Sequence, residues 1–597
     1  MATDGCQKRT MQSLRAISKN RILPLLLAFC GFLFLAANSW IYSHNQISVL
    51  DEGLYLYKGY LFSAGKYIPF QDYGPWTNQM PLAFLIPGWI EMLFGAGIGT
   101  GRAFAFILTL ASAIGIWLII QRISGSWPAA LAIVTLAINP AALKIYSVAT
   151  SQGLTTFLLV WCLYFTLGDN RKEWELLIGG VLAGMVVMVR INMLPLLPLI
   201  ALYVWWEKGI RAALIHLAGI LLIFFGIHIT YWPNILKIWA KWLPLPFLRP
   251  WAAPKTTPTW NPDNPFGFRV ASFFLAFRFH FVALAGAIVT WSMVSKEQIK
   301  KTGFYKQFVF LSVSLVALFS IHVWASLFND YCVFCFPTYT AFFSSIGVIL
   351  LFCSLPAMNF DTKIFPITAG FIALALTLLG ITYSAEDSIL ALVGEDVFKW
   401  FLNLKLPLVN DPMVWQLLAN KFALEKIEII KLSHTWLPVL FLAIVFVALM
   451  LVALVALRSG KYGKVLEMGL MILFIGGSVL TPTGLFSGFY KEYDCPGDLL
   501  PAYQKTGGEL SAIIPNGSQI YWAGYSPIPL TYLPNVNIYP SQLHGGYSYR
   551  ISNEDDKLLK YGWWNQSLKK KWSNEADFIL VSGDGFSDIS SYIAPEN

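Results

Sequence analysis

The sequence predicts an all-α polytopic membrane bundle of about thirteen transmembrane helices, with a small α/β domain at its C-terminal end. Three observations predict it. Hydrophobic residues make up 56% of the 597 and charged residues only 13%, against about 25% charged in soluble domains. The missing charge is absent from long blocks: charge-free runs near the ~20 residues that a bilayer-crossing helix needs recur from Ile22 to near Tyr490. After Gly484 the composition turns into that of a small soluble unit.

The expected spans are 22–43, 103–121, 127–144, 152–168, 175–190, 192–206, 212–231, 271–293, 307–325, 331–353, 364–383, 435–457 and 466–484. The basic N-terminus (1–21, with Lys8, Arg9, Arg15, Lys19 and Arg21) is expected to stay in the cytoplasm. Counting alternately, the other cytoplasmic loops then hold Arg122, Arg171 and Lys172, Lys208 and Arg211, the lysines at 296–306, Lys363, and Arg458 with Lys461 and Lys464. All strong basic clusters in short loops fall on one side, as the positive-inside rule requires. The odd span count sends the C-terminal segment to the other face of the cytoplasmic membrane. No cleavable leader is expected, because the first apolar run is too long and lacks a small-residue cleavage site.

Residues 79–98 are apolar but carry Pro81, Pro87 and Glu91, and counting them as a span would put Arg171 and Lys172 outside. They are expected to lie in the outer interface or dip partway. Within the 22–484 membrane unit, three segments then stand outside: 44–101, the Pro- and Trp-rich 232–270, and 384–434. In 485–597, DLLPAYQKTGGELSAII reads as a helix, PNGS as a turn and QIYWA as a strand; a helical stretch near 554–571 and the strand-like ADFILVS follow. No phosphate-cradling glycine motif occurs there. The +9 net charge is no nucleic-acid signal, since the basic residues sit between spans where they fix orientation. Cys332 and Cys335 form a C-x-x-C without a second pair or a histidine cluster, so the seven cysteines are expected to pack as small apolar residues, with no metal site.

The first outer segment concentrates the acids: Asp51 and Glu52 follow the first span closely and Asp72 comes later in the same segment. A carboxylate at the membrane surface can take a proton from an incoming hydroxyl once partial desolvation shifts its pKa. The plain alternative is that these acids are solvated loop residues. Arg190 splits the apolar stretch 176–206, and Arg278 lies in a span nine residues beyond Arg269. A charge within a span costs at least ~2.5 kcal/mol, so it asks for a partner, whether a structural ion pair or an anionic ligand. His322 and the run Asn329–Asp330–Tyr331 are further polar groups at outer span ends.

The pattern Asp51–Glu52–Gly53 with Tyr55, then Gly65 and Pro69, then Pro81–Leu82, then Leu93–Phe94–Gly95 and Arg102, resembles the bacterial membrane glycosyltransferases of the GT-C type. These include the aminoarabinose transferases of lipid A and the protein O-mannosyltransferases. The resemblance extends to thirteen spans with a C-terminal outer domain. It implies an enzyme that uses a polyprenyl-phosphate sugar and transfers the sugar to a glycan, lipid or protein acceptor outside the cytoplasmic membrane. The family's loop aspartate matches Asp51, which implies a general base there, with Glu52 and Asp72 as further acids. An acceptor hydroxyl would attack C1 in line and invert it as the lipid phosphate leaves. Tyr55, Arg102, Gln152, Arg190, Arg269 and Arg278 are the candidates for holding the lipid phosphate and sugar, arginine's planar fork suiting a phosphate.

Two departures stand out. The aminoarabinose transferases have K-P-P where this chain has Gln79–Met80–Pro81, and their second acid aligns with Gln152. They leave the sugar, a two-acid mechanism and any divalent metal open; the resemblance requires no cofactor. Two other classes compete. A transporter or flippase of a lipid-linked or polar substrate would show internal repeats and charges at mid-membrane. A non-catalytic envelope assembly protein would not need acids gathered in the first loop.

Overall fold

The structure, a computed structural model, describes residues 22–48, 50–71, 79–243, 245–253, 257–258, 266–294, 296–328, 333–358, 420–423, 474, 498–524, 526–539, 543, 548–552 and 554–581. The basic N-terminus, the expected spans 364–383 and 435–457, and most of 384–434 and 466–484 lie outside these residues. Helices dominate, and four are long and apolar enough to cross a bilayer: Ile22–Asn45, Ile98–Ser124, Ile210–Thr230 and Tyr305–Phe328. In hydrocarbon each backbone N–H and C=O must be satisfied within the chain, and a helix does this locally.

Helix α1 (Ile22–Asn45) turns Ala28, Gly31, Leu35, Ser39 and Ser43 inward at helical spacing, while Leu26, Phe29, Leu33 and Phe34 stay exposed on the other side. Helix α2 (Leu50–Ser63) is buried along almost its whole length. Helix α3 (Leu82–Phe94) packs across it so closely that a Cβ on Gly88 would stand 2.1 Å from the Gly59 carbonyl oxygen; both positions need glycine. At 13 residues, α3 is ~20 Å long, too short to cross the ~30 Å hydrocarbon upright.

Helix α4 (Ile98–Ser124) is followed by two short helices where one span, 127–144, was expected: α5 (Ser126–Ala137) and α6 (Pro140–Ser147). The cause is Pro140, which cannot continue a helix. Asn139 repairs the break, accepting from the Ala142 N–H at 3.1 Å and donating to the Phe279 carbonyl at 3.1 Å. Next come α7 (Ser151–Thr166), α8 (Glu173–Val189), α9 (Leu196–Lys208), α10 (Ile210–Thr230) and α11 (Leu236–Trp242). The expected span 271–293 is also broken, into α12 (Phe266–Phe279) and α13 (Phe281–Met293), with His280 between them and its Nε2 2.9 Å from the Pro337 carbonyl oxygen. Beyond α14 (Lys296–Lys301), α15 (Tyr305–Val323) runs into a π-helical turn at Trp324–Phe328. The expected span 331–353 holds α16 (Phe336–Thr340) and α17 (Ser344–Ser354). Cys335 is disulfide-bonded, which corrects the expectation that it packs as a free apolar residue; Cys162 and Cys353 are buried free thiols.

In the C-terminal segment, α18 (Leu500–Ile513) precedes a three-stranded parallel sheet in which β2 (Gln519–Ala523) lies between β3 (Asn537–Tyr539) and β5 (Phe578–Val581). The crossover to β5 includes α19 (Asp555–Leu559) and α20 (Gln566–Glu575), the latter capped by Asn565, whose side chain accepts from the Leu568 N–H. A two-residue strand β1 (Thr257–Pro258) pairs antiparallel with β4 (Arg550–Ile551), joining the 232–270 segment to this part of the chain. The Tyr561 hydroxyl adds a second tie, donating to the Ala252 carbonyl at 3.0 Å, while Lys237 joins the same segment to the first outer one, its ammonium donating to the Phe70 carbonyl at 2.8 Å.

The last turn of α3 holds an uncompensated acid. Glu91 is 1% exposed; one carboxyl oxygen accepts from the Gly97 N–H at 3.1 Å and the other has no partner among the described residues. Burial raises its pKa from the usual 4.5 to about 8, the Gly97 hydrogen bond opposing the shift. A carboxyl whose folded pKa is raised favours the fold below its unfolded pKa and loses that contribution as pH climbs to the folded value. Glu91→Gln is therefore expected to stabilise the protein by about 3 kcal/mol at pH 7 and by almost nothing below pH ~4.5. Melting curves of both proteins in detergent between pH 5 and 8.5 check this; parallel curves would show that Glu91 ionises without cost.

Candidate active site

Helix α2 divides its residues among three neighbours. Leu54, Tyr57 and Leu61 join a cluster with Ile520, Trp522 and Leu530 of the C-terminal segment. Glu52, Leu56 and Gly59 face α3 and α4. The third stripe, Asp51, Tyr55, Lys58 and Phe62, follows the spacing that puts side chains on one helix face. Its Tyr55 and Phe62 belong to the main core of the bundle. Gly53 lies under the C-terminal segment, where a Cβ would come 2.7 Å from the Pro527 ring.

The adjacent acids have opposite surroundings. Glu52 is 0% exposed and wholly spent: Arg102 donates Nε to one carboxyl oxygen and Nη2 to the other, each at 3.0 Å, and the Ala149 N–H donates at 2.9 Å. Arg102 gives its remaining nitrogen to the Ser43 carbonyl at 2.8 Å. The pair thus fastens the end of α1, the start of α2, α4 and the turn before α7.

Asp51, one residue earlier, keeps solvent access although protein surrounds it. Burial raises its pKa above the usual carboxylate value, and the positive charges of Arg190 and Lys58 pull it back. Lys58 is 2% exposed, and burial lowers its pKa to about 7 against the pull of Asp51. Burial thus disfavours the charged form of both groups, and their mutual attraction opposes it.

Arg190 ends α8 at an extended residue, φ −137° and ψ 107°, which swings its side chain off the helix axis. It is 3% exposed, and its Nε donates to the Ser151 hydroxyl at 2.7 Å. The guanidinium lies 4.6 Å from the Phe342 ring centre, 5.8 Å from Tyr55 and 5.9 Å from Tyr339. Among the described residues its two terminal nitrogens have no hydrogen-bond partner, which leaves a planar fork of donors in an aromatic setting. Ser151 also approaches the Tyr55 hydroxyl at 3.3 Å and the Gln152 side-chain oxygen at 3.5 Å. Such a constellation can hold an oxyanion on the fork and a hydroxyl beside the carboxylate.

The structure therefore brings Asp51, Tyr55, Gln152 and Arg190 together and pairs Glu52 with Arg102 elsewhere on α2. Arg269 gives Nη1 to the Leu327 carbonyl. Arg278 lies on α12, and its side chain, like Asp72 and Asp330, is outside the described residues. Sequence reasoning passed over Lys58, Ser151, Asn192 and the ring wall of Tyr339 and Phe342. Lys58 had a readable signal, two turns beyond Asp51 on the same face. Ser151 and the rings did not, because tertiary packing alone brings them to Arg190. Among the described residues no group of three or more metal-ligating side chains occurs.

Residues 78–232 match the family described as Dolichyl-phosphate-mannose-protein mannosyltransferase. That segment is about a quarter of the chain; it contains Arg102, Gln152 and Arg190 but begins after Asp51 and Glu52. The match agrees with the resemblance read from the sequence, that of a membrane glycosyltransferase of the GT-C type. No curated protein matches the chain. Among solved structures, ArnT from Cupriavidus metallidurans bound to undecaprenyl phosphate is similar at 11% identity and a TM-score of 0.46, covering 96% of this chain and 95% of its own. An oligosaccharyltransferase of Archaeoglobus fulgidus tethered with an acceptor peptide is similar at 12% identity and a TM-score of 0.38, over 87% of this chain and 64% of its own. Likeness at these levels transfers no ligand and no residue role.

Proposed function

We propose that this multi-pass membrane protein is a glycosyltransferase that moves a sugar from a polyprenyl-phosphate carrier to an acceptor hydroxyl at the outer face of the cytoplasmic membrane, with Asp51 as general base. The observation that carries the reading is the juxtaposition of Asp51, enclosed yet open to water, with the unspent donor fork of Arg190. Asp51 takes the proton of the acceptor hydroxyl as its oxygen attacks C1. The bond between C1 and the phosphate oxygen breaks, its electron pair stays on the phosphate, and C1 inverts. Arg190 meets the charge that grows on the leaving phosphate, in a site where aromatic rings limit competition from water. Glu52 and Arg102 hold the frame in this reading and leave the chemistry to their neighbours.

The cavity is roofed by 44–101 and 232–270 and closed by the extracytoplasmic 485–597 domain, while 22–484 is the membrane unit. The one-sided distribution of basic loops supports this orientation. So does the disulfide at Cys335, near an expected outer span end, because disulfides persist in oxidising compartments.

The test is mass spectrometry of polyprenyl-phosphate lipids in cells lacking the protein, complemented by wild type or Asp51→Asn. One sugar-bearing carrier is expected to accumulate in the null strain and with Asp51→Asn, and to disappear with wild type. An unchanged carrier pool in all three strains would turn the reading toward transport or assembly. For the purified protein, Arg190→Lys is expected to lower kcat/KM about 10- to 100-fold, as an ammonium cannot bond Ser151 and present a planar fork at once. Steady-state kinetics with varied carrier check this, and an unaltered KM and kcat would remove Arg190 from the phosphate.

A further inference from the structure

Two residues beyond Arg190, Asn192 sits in the 3-10 turn Ile191–Met193. Its amide is oriented by a chain of hydrogen bonds that can be read in one direction. Nδ1 of His322 lies 2.7 Å from the Leu318 carbonyl oxygen, which can only accept, so this nitrogen carries the ring's hydrogen. In the neutral ring Nε2 is then an acceptor, and it lies 2.8 Å from Nδ2 of Asn192. The amide NH2 therefore points at His322, and Oδ1 is held at the opposite corner. That oxygen is shielded from solvent and has no hydrogen-bond partner among the described residues. A buried acceptor left without a donor is costly, and a ligand can supply what the protein does not.

The pair borders the site already described. The His322 ring lies 4.9 Å from Phe343, 6.2 Å from Phe342 and 6.4 Å from Tyr339. Phe342 and Tyr339 are the same rings that flank the Arg190 guanidinium. One aromatic wall thus flanks both the donor fork and the histidine that orients the acceptor. A fully ionised phosphate has only acceptors and gains nothing from Asn192 Oδ1. A hydroxyl or an amino group is a donor, and a sugar esterified to that phosphate presents several.

We infer that Asn192 is a specificity-determining residue whose Oδ1, aimed by His322, accepts a hydrogen bond from a hydroxyl or amino group of the transferred sugar. The inference deepens the transferase reading and rests on it. It divides the ligand between neighbouring residues: Arg190 takes the phosphate common to every carrier, and Asn192 reads the sugar that distinguishes one carrier from another.

The test is equilibrium binding to the full-length protein in lipid nanodiscs. The probes are undecaprenyl phosphate alone and undecaprenyl phosphate bearing mannose, glucose, galactose or arabinose. The variants are Asn192→Leu, which removes the acceptor at similar size, and His322→Phe, which releases the amide. Asn192→Leu is expected to weaken the best sugar-bearing carrier about tenfold while bare undecaprenyl phosphate binds as before. His322→Phe should give a smaller loss of the same selective kind. Unchanged binding of the bare carrier also shows that each variant is folded. Equal weakening of sugar-bearing and bare carriers, or no change in either, overturns the inference and leaves the transferase reading standing. Wild type that binds no carrier of either kind overturns both.

Discussion

Asp51→Asn is expected to leave a folded protein that still binds its carrier but transfers sugar about 10²–10⁴-fold more slowly, the range lost with a general base. The amide keeps the size of the carboxylate and cannot take a proton. The pH profile adds a second reading of the same group. A base acts when deprotonated, and burial holds the Asp51 pKa above its ordinary value, so kcat should fall as pH drops through that raised value. Arg190 and Lys58 both pull the pKa down, and removing either charge has to move the acidic limb upward. Lys58→Met isolates that shift because it leaves the fork of Arg190 in place. Rates measured from pH 4 to 9 for wild type, Asp51→Asn and Lys58→Met decide the matter. Wild-type turnover by Asp51→Asn, or a limb that stays put in Lys58→Met, would assign the proton to another group.

The neighbouring acid is expected to behave in the opposite way. Glu52→Ala should lower stability by about 3–5 kcal/mol, because it strands a buried guanidinium with no carboxylate. Arg102→Ala should cost a comparable amount by stranding the acid. The combination Glu52→Leu with Arg102→Met is the informative one. Replacing both ions by apolar groups removes the stranded charge, so the double variant should be more stable than either single one. Thermal melting of the four proteins in detergent makes the comparison. A Glu52→Gln protein with wild-type melting and no activity would instead move Glu52 from the frame into the chemistry.

The contrast between these acids marks where the sequence stopped being readable. Both stood beside the first span, and residue type said nothing about which way each would point. Glu52 and Arg102 are 50 positions apart, so their pairing belongs to the packing of α2 on α4. The helical nature of the apolar runs was plain from composition, since hydrocarbon leaves the backbone no other local solution. The breaks were less plain. Pro140 announced one of them, yet the apolar residues on either side hid it within a continuous run. His280 announced nothing, because histidine is an ordinary helix residue and its approach to the Pro337 carbonyl is set by packing 57 positions away. The site itself was half legible: Asp51 and Arg190 stood out as charges, but Lys58, two turns beyond Asp51 on the same helix face, was passed over. Asn192 could not be read at all, since its orientation depends on His322, 130 positions away.

The contact of Pro527 with Gly53 also sets an order of events in the life of the chain. The helix that carries Asp51 leaves the ribosome early, and the turn that lies on it is made more than four hundred residues later. At ~5–20 residues per second, that interval is on the order of tens of seconds. During it, α2 has α3 and α4 to pack on, while Gly53 lacks Pro527 and the face of Leu54, Tyr57 and Leu61 lacks the cluster of Ile520, Trp522 and Leu530 that will cover it.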